Sequence, residues 1–355
     1  MNLLNKILNS LLLLFFKKKE ENNTIQLHNK SKILILTFGG INDSLNITPM
    51  LQALYEQTQP EITILTFEKN MKSFHNNPHI NNIFYIQNGF LNKIKIILKL
   101  NKLNFNIIID ANEFFTKTLS RLLILINSEY KIGFEKDNSK TSLTHIVESP
   151  NKNKVHVIDR ILLLLNYFNF EVVKTNLNVN YFPTQNSIDH ISNYFIKHNV
   201  NHDFRVLINV TAKEGIGSWG KTSYIQLLKY LKNYDVKIII TGSLDDLQII
   251  ETLADNNHLI FYNDDLLEYS ALVQNSNFIF TPESYTIQLA SSKKIPVYCL
   301  FVKKSSNEML DVPYNSDFDF AVTDKGKLDN ISYGKVLNNF VPYFEYVYER
   351  YKPKE

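Results

Sequence analysis

The sequence has few of the residues that build disulfides and metal sites. It contains one cysteine, Cys299, among 355 residues, which excludes an internal disulfide and any site with several cysteine ligands. Its nine histidines show no HExxH or comparable metal-ligand spacing, so we predict neither a metal nor another cofactor. The charge excess is also small: 38 Lys and Arg against 35 Asp and Glu leave +3, too little to predict a nucleic-acid partner.

A long hydrophobic run is missing at the amino terminus. The apolar residues 11–16 fall short of the roughly 20 that span a bilayer, and no signal-peptide cleavage site follows them. Leucines recur there at helical spacing, and three lysines follow at 17–19. Such residues suit an anionic membrane surface, but a tail or a helix packed on the core explains them equally well. Membrane contact through residues 1–20 stays open. We expect a cytoplasmic protein, either free or peripheral on the inner face of the cytoplasmic membrane.

The remaining composition is that of a globular protein. Hydrophobic residues make up 44% and charged residues 21%, which excludes a disordered chain, a fibrous repeat and a small disulfide scaffold. At roughly 150 residues per domain, the length predicts two domains. We place a tail over 1–30, the first domain over 31–185 and the second over 186–330. A C-terminal helix over 331–355 can return to the first domain.

Short apolar runs alternate with helical patterns from Lys32 onward. This alternation predicts an α/β fold with two doubly wound parallel sheets. In such sheets ligands bind beyond the carboxyl ends of the strands, so the turns after the strands are the places to look for function. The predicted strands lie at 33–36, 62–67, 83–86, 107–109 and 130–134, then at 205–209, 237–240, 259–262, 278–280 and 297–301.

Asp43 ends a glycine-containing turn after the first strand, just before a helical pattern. One interpretation is a helix cap, because Asp accepts hydrogen bonds from the free amides of a first helical turn. The other is a carboxylate that points into a cleft between the domains and acts as a general base. The turn does not match GxGxxG, so a dinucleotide site is not predicted there.

Two segments of the second half have residues suited to a phosphate. Glu283 and Ser284 follow a strand and open a helix, where free amides and the helix dipole attract anions. Residues 211–218 combine a hydroxyl, a lysine and two glycines, which suits a diphosphate. Helix capping by Ser284 and a surface loop anchored by Trp219 explain the same residues without a ligand.

The order of these pieces resembles glycosyltransferase family 9, the ADP-heptose:lipopolysaccharide heptosyltransferases. The resemblance runs from about residue 32 to about residue 302 and implies a GT-B fold, in which two Rossmann-like domains face a central cleft. The family binds its acceptor on the first domain and its nucleotide sugar on the second. The landmarks that carry the resemblance are residues 33–36 leading to Asp43, residues 48–54 and 131–134, His156 with Asp159 and Arg160, residues 208–219 and 241–242, and residues 283–297.

The resemblance also implies an activity. The chain would transfer heptose or a related sugar from a nucleotide-diphosphate donor to a lipid-linked acceptor of the lipopolysaccharide-core type, with inversion and without a metal. Asp43 would be the general base, with Gly39, Gly40 and Asn42 beside it in the acceptor-side cleft. The implied donor-binding residues are Thr211, Lys213, Gly242, Glu283, Ser284, Tyr285, Thr286 and Gln288, and Asp245 or Asp246 would meet the ribose.

Several positions depart from the family's pattern. The family's lysine two residues before the tryptophan is Gly217 here, and its Asp-Ser/Thr-Gly…His reads Glu283-Ser284-Tyr285…Gln288. These departures favour a second hypothesis, a non-catalytic relative of the same fold that binds a saccharide or a protein partner. A third is a nucleotide-sugar epimerase with two Rossmann-like domains, which would convert its donor without an acceptor.

Overall fold

The computed structural model describes residues 23–87, 89–136, 142–262, 265–305, 307 and 309–351. Residues 1–20, where membrane contact stays open, lie outside these ranges. Within the ranges, no helix is long and apolar enough to cross a membrane. The chain divides into two compact units, residues 1–177 and 178–355. Part of the predicted tail belongs to the first unit, because Ile25 is buried and pairs with Phe168.

The first unit is built on a parallel sheet of short apolar strands. Parallel strands are covered by helices on both faces, which is why they read as continuous runs of Ile, Leu and Val. The strands are β1 (Lys32–Leu36), β2 (Glu61–Phe67), β3 (Asn82–Ile86), β4 (Ile107–Asp110), β5 (Tyr130–Phe134) and β6 (His145–Val147). Their order across the sheet is β3-β2-β1-β4-β5-β6.

Helices follow the strands of this sheet, as the alternating pattern predicts. Leu100 and Leu122, from two different helices, pack with Ile108 of β4 in one buried cluster, so these two helices cover the same face. The helices are α1 (Ile41–Asn46), α2 (Thr48–Thr58), α3 (Phe90–Asn101), α4 (Lys117–Leu125) and α5 (Val157–Leu162). Short 3₁₀ segments lie at Glu68–Phe74, Leu163–Leu165 and Lys174–Asn176.

The second unit repeats this architecture. Its strands are β7 (Arg205–Asn209), β8 (Lys237–Gly242), β9 (Leu259–Tyr262), β10 (Phe278–Pro282), β11 (Val297–Val302) and β12 (Phe318–Thr323). Its helices are α6 (Gln185–Lys197), α7 (Lys221–Leu231), α8 (Leu247–Leu253), α9 (Leu266–Gln274), α10 (Thr286–Ser291) and α11 (Tyr333–Tyr351). The strand order is β12-β11-β10-β7-β8-β9. Counted from each unit's own first strand, both orders are 3-2-1-4-5-6, that of a Rossmann-type sheet. The predicted α/β class with two doubly wound sheets is confirmed.

Two expectations about the domain limits need correction. The domain limit expected after residue 185 falls at the start of α6, and the division lies earlier, between Leu177 and Asn178. The C-terminal helix α11, which we expected could return to the first domain, belongs to the second unit. Phe340 and Phe344 are buried with Phe278 in the core of the second unit, because the apolar face of α11 packs against that unit's sheet. The helix runs unbroken through Pro342, which lies on its exposed side.

Candidate functional site

Each sheet has a point where the strand order reverses, between β1 and β4 in the first unit and between β7 and β10 in the second. The connections leaving the two central strands run in opposite directions, which opens a crevice at the carboxyl edge of the sheet. The predicted site residues of each unit lie at or next to this point.

A pocket of about 170 Å³ lies at the reversal point of the first unit. Its walls come from the turns after β1 and β4 and from the start of α5. The lining residues are Thr37, Asp43, Ala111, Asn112, Glu113, Phe114, Lys152, Val157 and Ile161.

Asp43 lies in the first turn of α1, where its side chain both caps the helix and lines the pocket. Its Oδ2 accepts a hydrogen bond of 2.7 Å from the Gly40 amide, while the side chain stays exposed. Gly39 fits closely against it, because a methyl carbon on Gly39 would lie 2.2 Å from Asp43 Oδ2. Asn70 also donates to the Gly39 carbonyl at 2.7 Å. The capping geometry therefore holds the carboxylate at the pocket, and the two interpretations of Asp43 are compatible.

A buried polar network holds the turn after β1. The Asn112 amide donates to the Leu36 carbonyl at 3.0 Å, and its Oδ1 accepts from the Phe38 amide at 2.6 Å. Asp110 accepts from Asn112 at 2.8 Å and pairs with Lys136 at 2.6 Å. Both side chains of that ion pair are almost completely buried. The network ties β1 to β4 and so fixes the turn that carries Gly39.

A second carboxylate, Glu113, lines the same pocket. Arg160 donates to both of its oxygens, with the Nη2 bond at 2.9 Å, and Lys152 lies 3.1 Å from Oε2. Burial alone raises the pKa of Glu113, but the hydrogen bonds and charges of Arg160 and Lys152 outweigh it and hold that pKa below its ordinary value. Glu113 therefore stays ionised, and Lys152 adds a half-exposed cation to the pocket wall.

At the reversal point of the second unit, Asn209 is the centre of a hydrogen-bond network. Its buried amide nitrogen donates to the Thr211 carbonyl and Thr281 Oγ1, each at 2.9 Å, and lies 3.2 Å from Ser284 Oγ and 3.3 Å from Thr286 Oγ1. Its Oδ1 accepts from the Thr211 amide at 3.1 Å. One side chain thus connects the backbone after β7 to hydroxyls in and after β10.

Thr211 also links this network to the turn after β8. Its hydroxyl donates to Asp246 Oδ2 at 2.6 Å, and Ser243 donates to the same oxygen at 2.8 Å. Gly242 is packed tightly here, because a methyl carbon on it would lie 2.8 Å from a Val210 side-chain carbon and 3.0 Å from Thr211 Oγ1. The close fit explains a glycine at this position without a ligand.

The helix after β10 differs from the expected one. It begins at Thr286, spans six residues and has Tyr285 at its N-cap, so Ser284 is not the cap that the sequence suggests. Such a short helix also has a weaker dipole with which to attract a phosphate. Ser284 instead bonds to Asn209, as described above. Gln288 is fully buried, and its amide donates to Asp311 at 3.0 Å.

The loop after β7 is held in place by contacts near both of its ends. Lys213 pairs with Glu283 at 2.8 Å, and its amide donates to the Glu283 carbonyl at 2.7 Å. Trp219 is fully buried and donates to the Ile331 carbonyl at 2.9 Å, as the anchored-loop interpretation expects. Gly217 has φ +72°, a left-handed conformation that side chains other than glycine rarely adopt. A lysine at this position would strain the loop.

The structure thus collects the predicted residues into two groups. Gly39, Gly40, Asn42 and Asp43 lie at the start of α1, and the predicted donor-binding residues surround the ends of β7, β8 and β10. Sequence reasoning missed Asn112, Glu113 and Lys152 in the first group and Asn209 in the second. In the part of the chain described, no three His, Cys, Asp or Glu side chains cluster as metal ligands would.

Comparisons with known proteins find this fold in glycosyltransferases. No protein-family model and no curated protein matches the sequence. Among solved structures, the glycosyl transferase family 9 protein from Veillonella parvula DSM 2008 aligns with a TM-score of 0.79 at 16% identity, over 91% of this chain and 99% of that one. E. coli ADP-heptose LPS heptosyltransferase II aligns with a TM-score of 0.71 at 14% identity, over 90% of this chain and 99% of that one. E. coli heptosyltransferase WaaC with ADP aligns with a TM-score of 0.65 at 13% identity, over 89% of this chain and 98% of that one. The two Rossmann-type sheets and these similarities give the chain a GT-B fold.

Proposed function

We propose that this chain is a cytoplasmic, inverting, metal-independent glycosyltransferase that moves heptose or a related sugar from a nucleoside-diphosphate donor to a lipid-linked saccharide. The observation that carries the proposal is the Asp43 carboxylate, oriented by the Gly40 amide at a pocket on the reversal point of the first sheet. The neighbours in fold named as heptosyltransferases, one of them solved with ADP, support the choice of donor.

In the proposed reaction, Asp43 acts as the general base. The acceptor hydroxyl gives its proton to Asp43 as its oxygen attacks the anomeric carbon from the face opposite the diphosphate. The bond between that carbon and the diphosphate oxygen breaks, and its electron pair leaves with the nucleoside diphosphate. Because Oδ2 already accepts a hydrogen bond from Gly40, we assign the incoming proton to Oδ1.

The second unit would stabilise the departing diphosphate. Hydroxyl donors and cations lower the barrier most when they are already in place where negative charge develops. Ser284 offers a hydroxyl that Asn209 contacts. Asn209 also holds the backbone of Thr211, whose hydroxyl would turn from Asp246 to reach a phosphate. Lys213 offers a cation whose side chain is more than half exposed beside Glu283, so it can turn toward a phosphate at small cost. Lys213 would thus take the role of the family's lysine, whose position is occupied by Gly217 in this chain.

The substitution Asp43→Asn tests this function directly. Asparagine keeps an oxygen for the Gly40 amide and so preserves the cap, but it cannot take a proton. We expect the rate of nucleoside-diphosphate release in the presence of acceptor to fall by at least about a hundredfold, with the melting temperature little changed. A variant that turns over at the rate of the unsubstituted protein would remove Asp43 from this role.

A non-catalytic relative that binds a saccharide or a partner is the second candidate. The observation that favours it is Tyr285, whose side chain stands where the family has glycine and packs edge-on against Tyr269 at 5.9 Å. Titration calorimetry with a panel of nucleotide sugars separates the two candidates. Heat of binding from at least one donor supports the enzyme, whereas a folded protein that binds none of them supports the second candidate.

A further inference from the structure

The outward face of α3 is apolar and uncovered among the residues described. Among the side chains of this helix whose burial the structure describes, Leu100 alone is fully buried, packed against the first sheet. On the opposite side, Leu91 is 70% exposed, Leu98 58% and Ile94 37%. Positions 91, 94 and 98 follow helical spacing and form one stripe along the helix. Leucine side chains exposed to this extent, in a row, are unusual for a surface that faces only water.

The same face carries a high density of positive charge. The helix and the residue after it, 90–102, contain four lysines and no Asp or Glu. Three of these lysines, Lys95, Lys99 and Lys102, are exposed and lie at helical spacing beside the leucine stripe. Lys99 lies over the ring of Phe84, with Nζ 4.6 Å from its centre. Lys95 and Lys102 are the better candidates for contact with a partner.

We propose that the outward face of α3 docks on an anionic lipid bilayer, with the leucines in the headgroup boundary and the lysines on the lipid phosphates. An apolar stripe and a basic cluster on one helix are the two signals that together give stable, reversible membrane attachment. The charge complementarity selects this occupant: a segment without any acid is attracted to an anionic leaflet. Its lysines would gain nothing from a neutral apolar partner.

The position of α3 suits a lipid-linked substrate. The helix starts at the carboxyl edge of the first sheet, after β3, and shares its face of the sheet with α4. The loop into α4 adds Phe114 and Phe115 at the same edge, exposed by 41% and 39%. Phe114 is also a wall of the pocket that holds Asp43. Membrane contact through α3 therefore keeps this pocket close to the lipid surface.

The test measures binding of the full-length chain to vesicles by co-sedimentation, with no donor or acceptor present. Its outcome is thus independent of the proposed enzymatic function. The vesicles contain either phosphatidylcholine alone or phosphatidylcholine mixed with phosphatidylglycerol. One variant combines Lys95→Gln with Lys102→Gln, and another combines Leu91→Ser with Leu98→Ser. The matched control combines Ile196→Ser with Lys197→Gln on α6, where Ile196 is 59% exposed.

We expect the unsubstituted chain and the control to bind the phosphatidylglycerol vesicles and to release them at high salt. The lysine variant should partition about thirty-fold less, since each surface lysine contributes about five-fold. The leucine variant should lose about ten-fold or more. Circular dichroism confirms that each variant is folded.

Three results would overturn the proposal. One is binding by both α3 variants equal to that of the control, which would assign any membrane contact to another segment such as residues 1–20. Another is failure of the unsubstituted chain to bind the anionic vesicles. The third is a change of oligomeric state in the leucine variant without loss of vesicle binding, which would make a second copy of the chain the occupant of this face.

Discussion

The fit between Gly39 and Asp43 gives the sharpest prediction about the site. Gly39 does not have a left-handed backbone, so alanine is allowed there and the only new demand is room for a methyl group. That carbon would lie 2.2 Å from Asp43 Oδ2 and 2.5 Å from its Cβ and Cγ. Ordinary contact begins at about 3.4 Å, so the carboxylate oxygen must move by about 1.2 Å. The Cβ of Asp43 must move by about 0.9 Å, which also shifts the backbone at the start of α1.

A displacement of this size acts on rate more than on stability. Moving a catalytic group by about 1 Å costs about a hundredfold in rate. The loss of the 2.7 Å bond from the Gly40 amide costs about 1 kcal/mol of folding free energy. We therefore expect Gly39→Ala to remain folded while it loses about as much activity as Asp43→Asn.

The neighbouring glycine provides the matched comparison. A methyl carbon on Gly40 meets Asp43 Oδ2 at 3.8 Å, an ordinary contact, and its extended backbone accepts alanine. The assay follows nucleoside-diphosphate release and thermal unfolding for both variants side by side. We expect Gly39→Ala to lose far more activity than Gly40→Ala. Equal activity of the two variants would contradict the idea that Gly39 is needed for the position of the carboxylate.

Two further predictions concern the networks around each reversal point. Arg160→Met should destabilise the protein by about 3 kcal/mol at neutral pH, because it leaves a half-buried Glu113 with a weakened partner, whereas Lys152→Met should cost less than about 1 kcal/mol. Since the pKa of Glu113 lies below its ordinary 4.5, this stabilisation is present above pH 4.5 and disappears as the pH falls through the lowered value. Denaturant unfolding at a series of pH values should show the Arg160→Met deficit narrowing in acid, and a deficit constant with pH would contradict the assignment. Asn209→Ala should cost about 2–3 kcal/mol through unpaired buried groups and should weaken nucleoside-diphosphate binding in calorimetry. Unchanged binding would remove Asn209 from the donor site.

The sequence predicts the central strands well and the edges poorly. Buried strands such as β1 and β7 are continuous apolar runs, and this pattern alone is enough to predict them. β6 has three residues, too few for a pattern. β12 is an edge strand whose residues are mostly half-buried, so it lacks the same signature. The polar residues at the start of α6 obscure where this helix begins. Thr184 caps the helix by accepting a hydrogen bond from the Ser187 amide at 3.1 Å. A threonine at this position is a helix-start signal that the sequence does contain.

The site divides in the same way. Asp43 can be found from its turn because the signal is local: a strand, a glycine pair and a helix start. Ion pairs are not local. Lys136 meets Asp110 across 26 residues and Arg160 meets Glu113 across 47, and only the strand order brings them together. Asn209 ends a strand and reads as an ordinary polar residue until the ends of β7 and β10 are seen to be neighbours.

The most direct test of the central claim is mass spectrometry of a complete reaction. The purified chain is incubated with a panel of nucleoside-diphosphate sugars and an extract of lipid-linked saccharides, with Asp43→Asn in parallel. We predict that one donor adds the mass of a single sugar to an acceptor and releases an equal amount of nucleoside diphosphate, and that the variant forms almost no product. Product formed at equal rates by both proteins, or no product from any donor that binds, would contradict it.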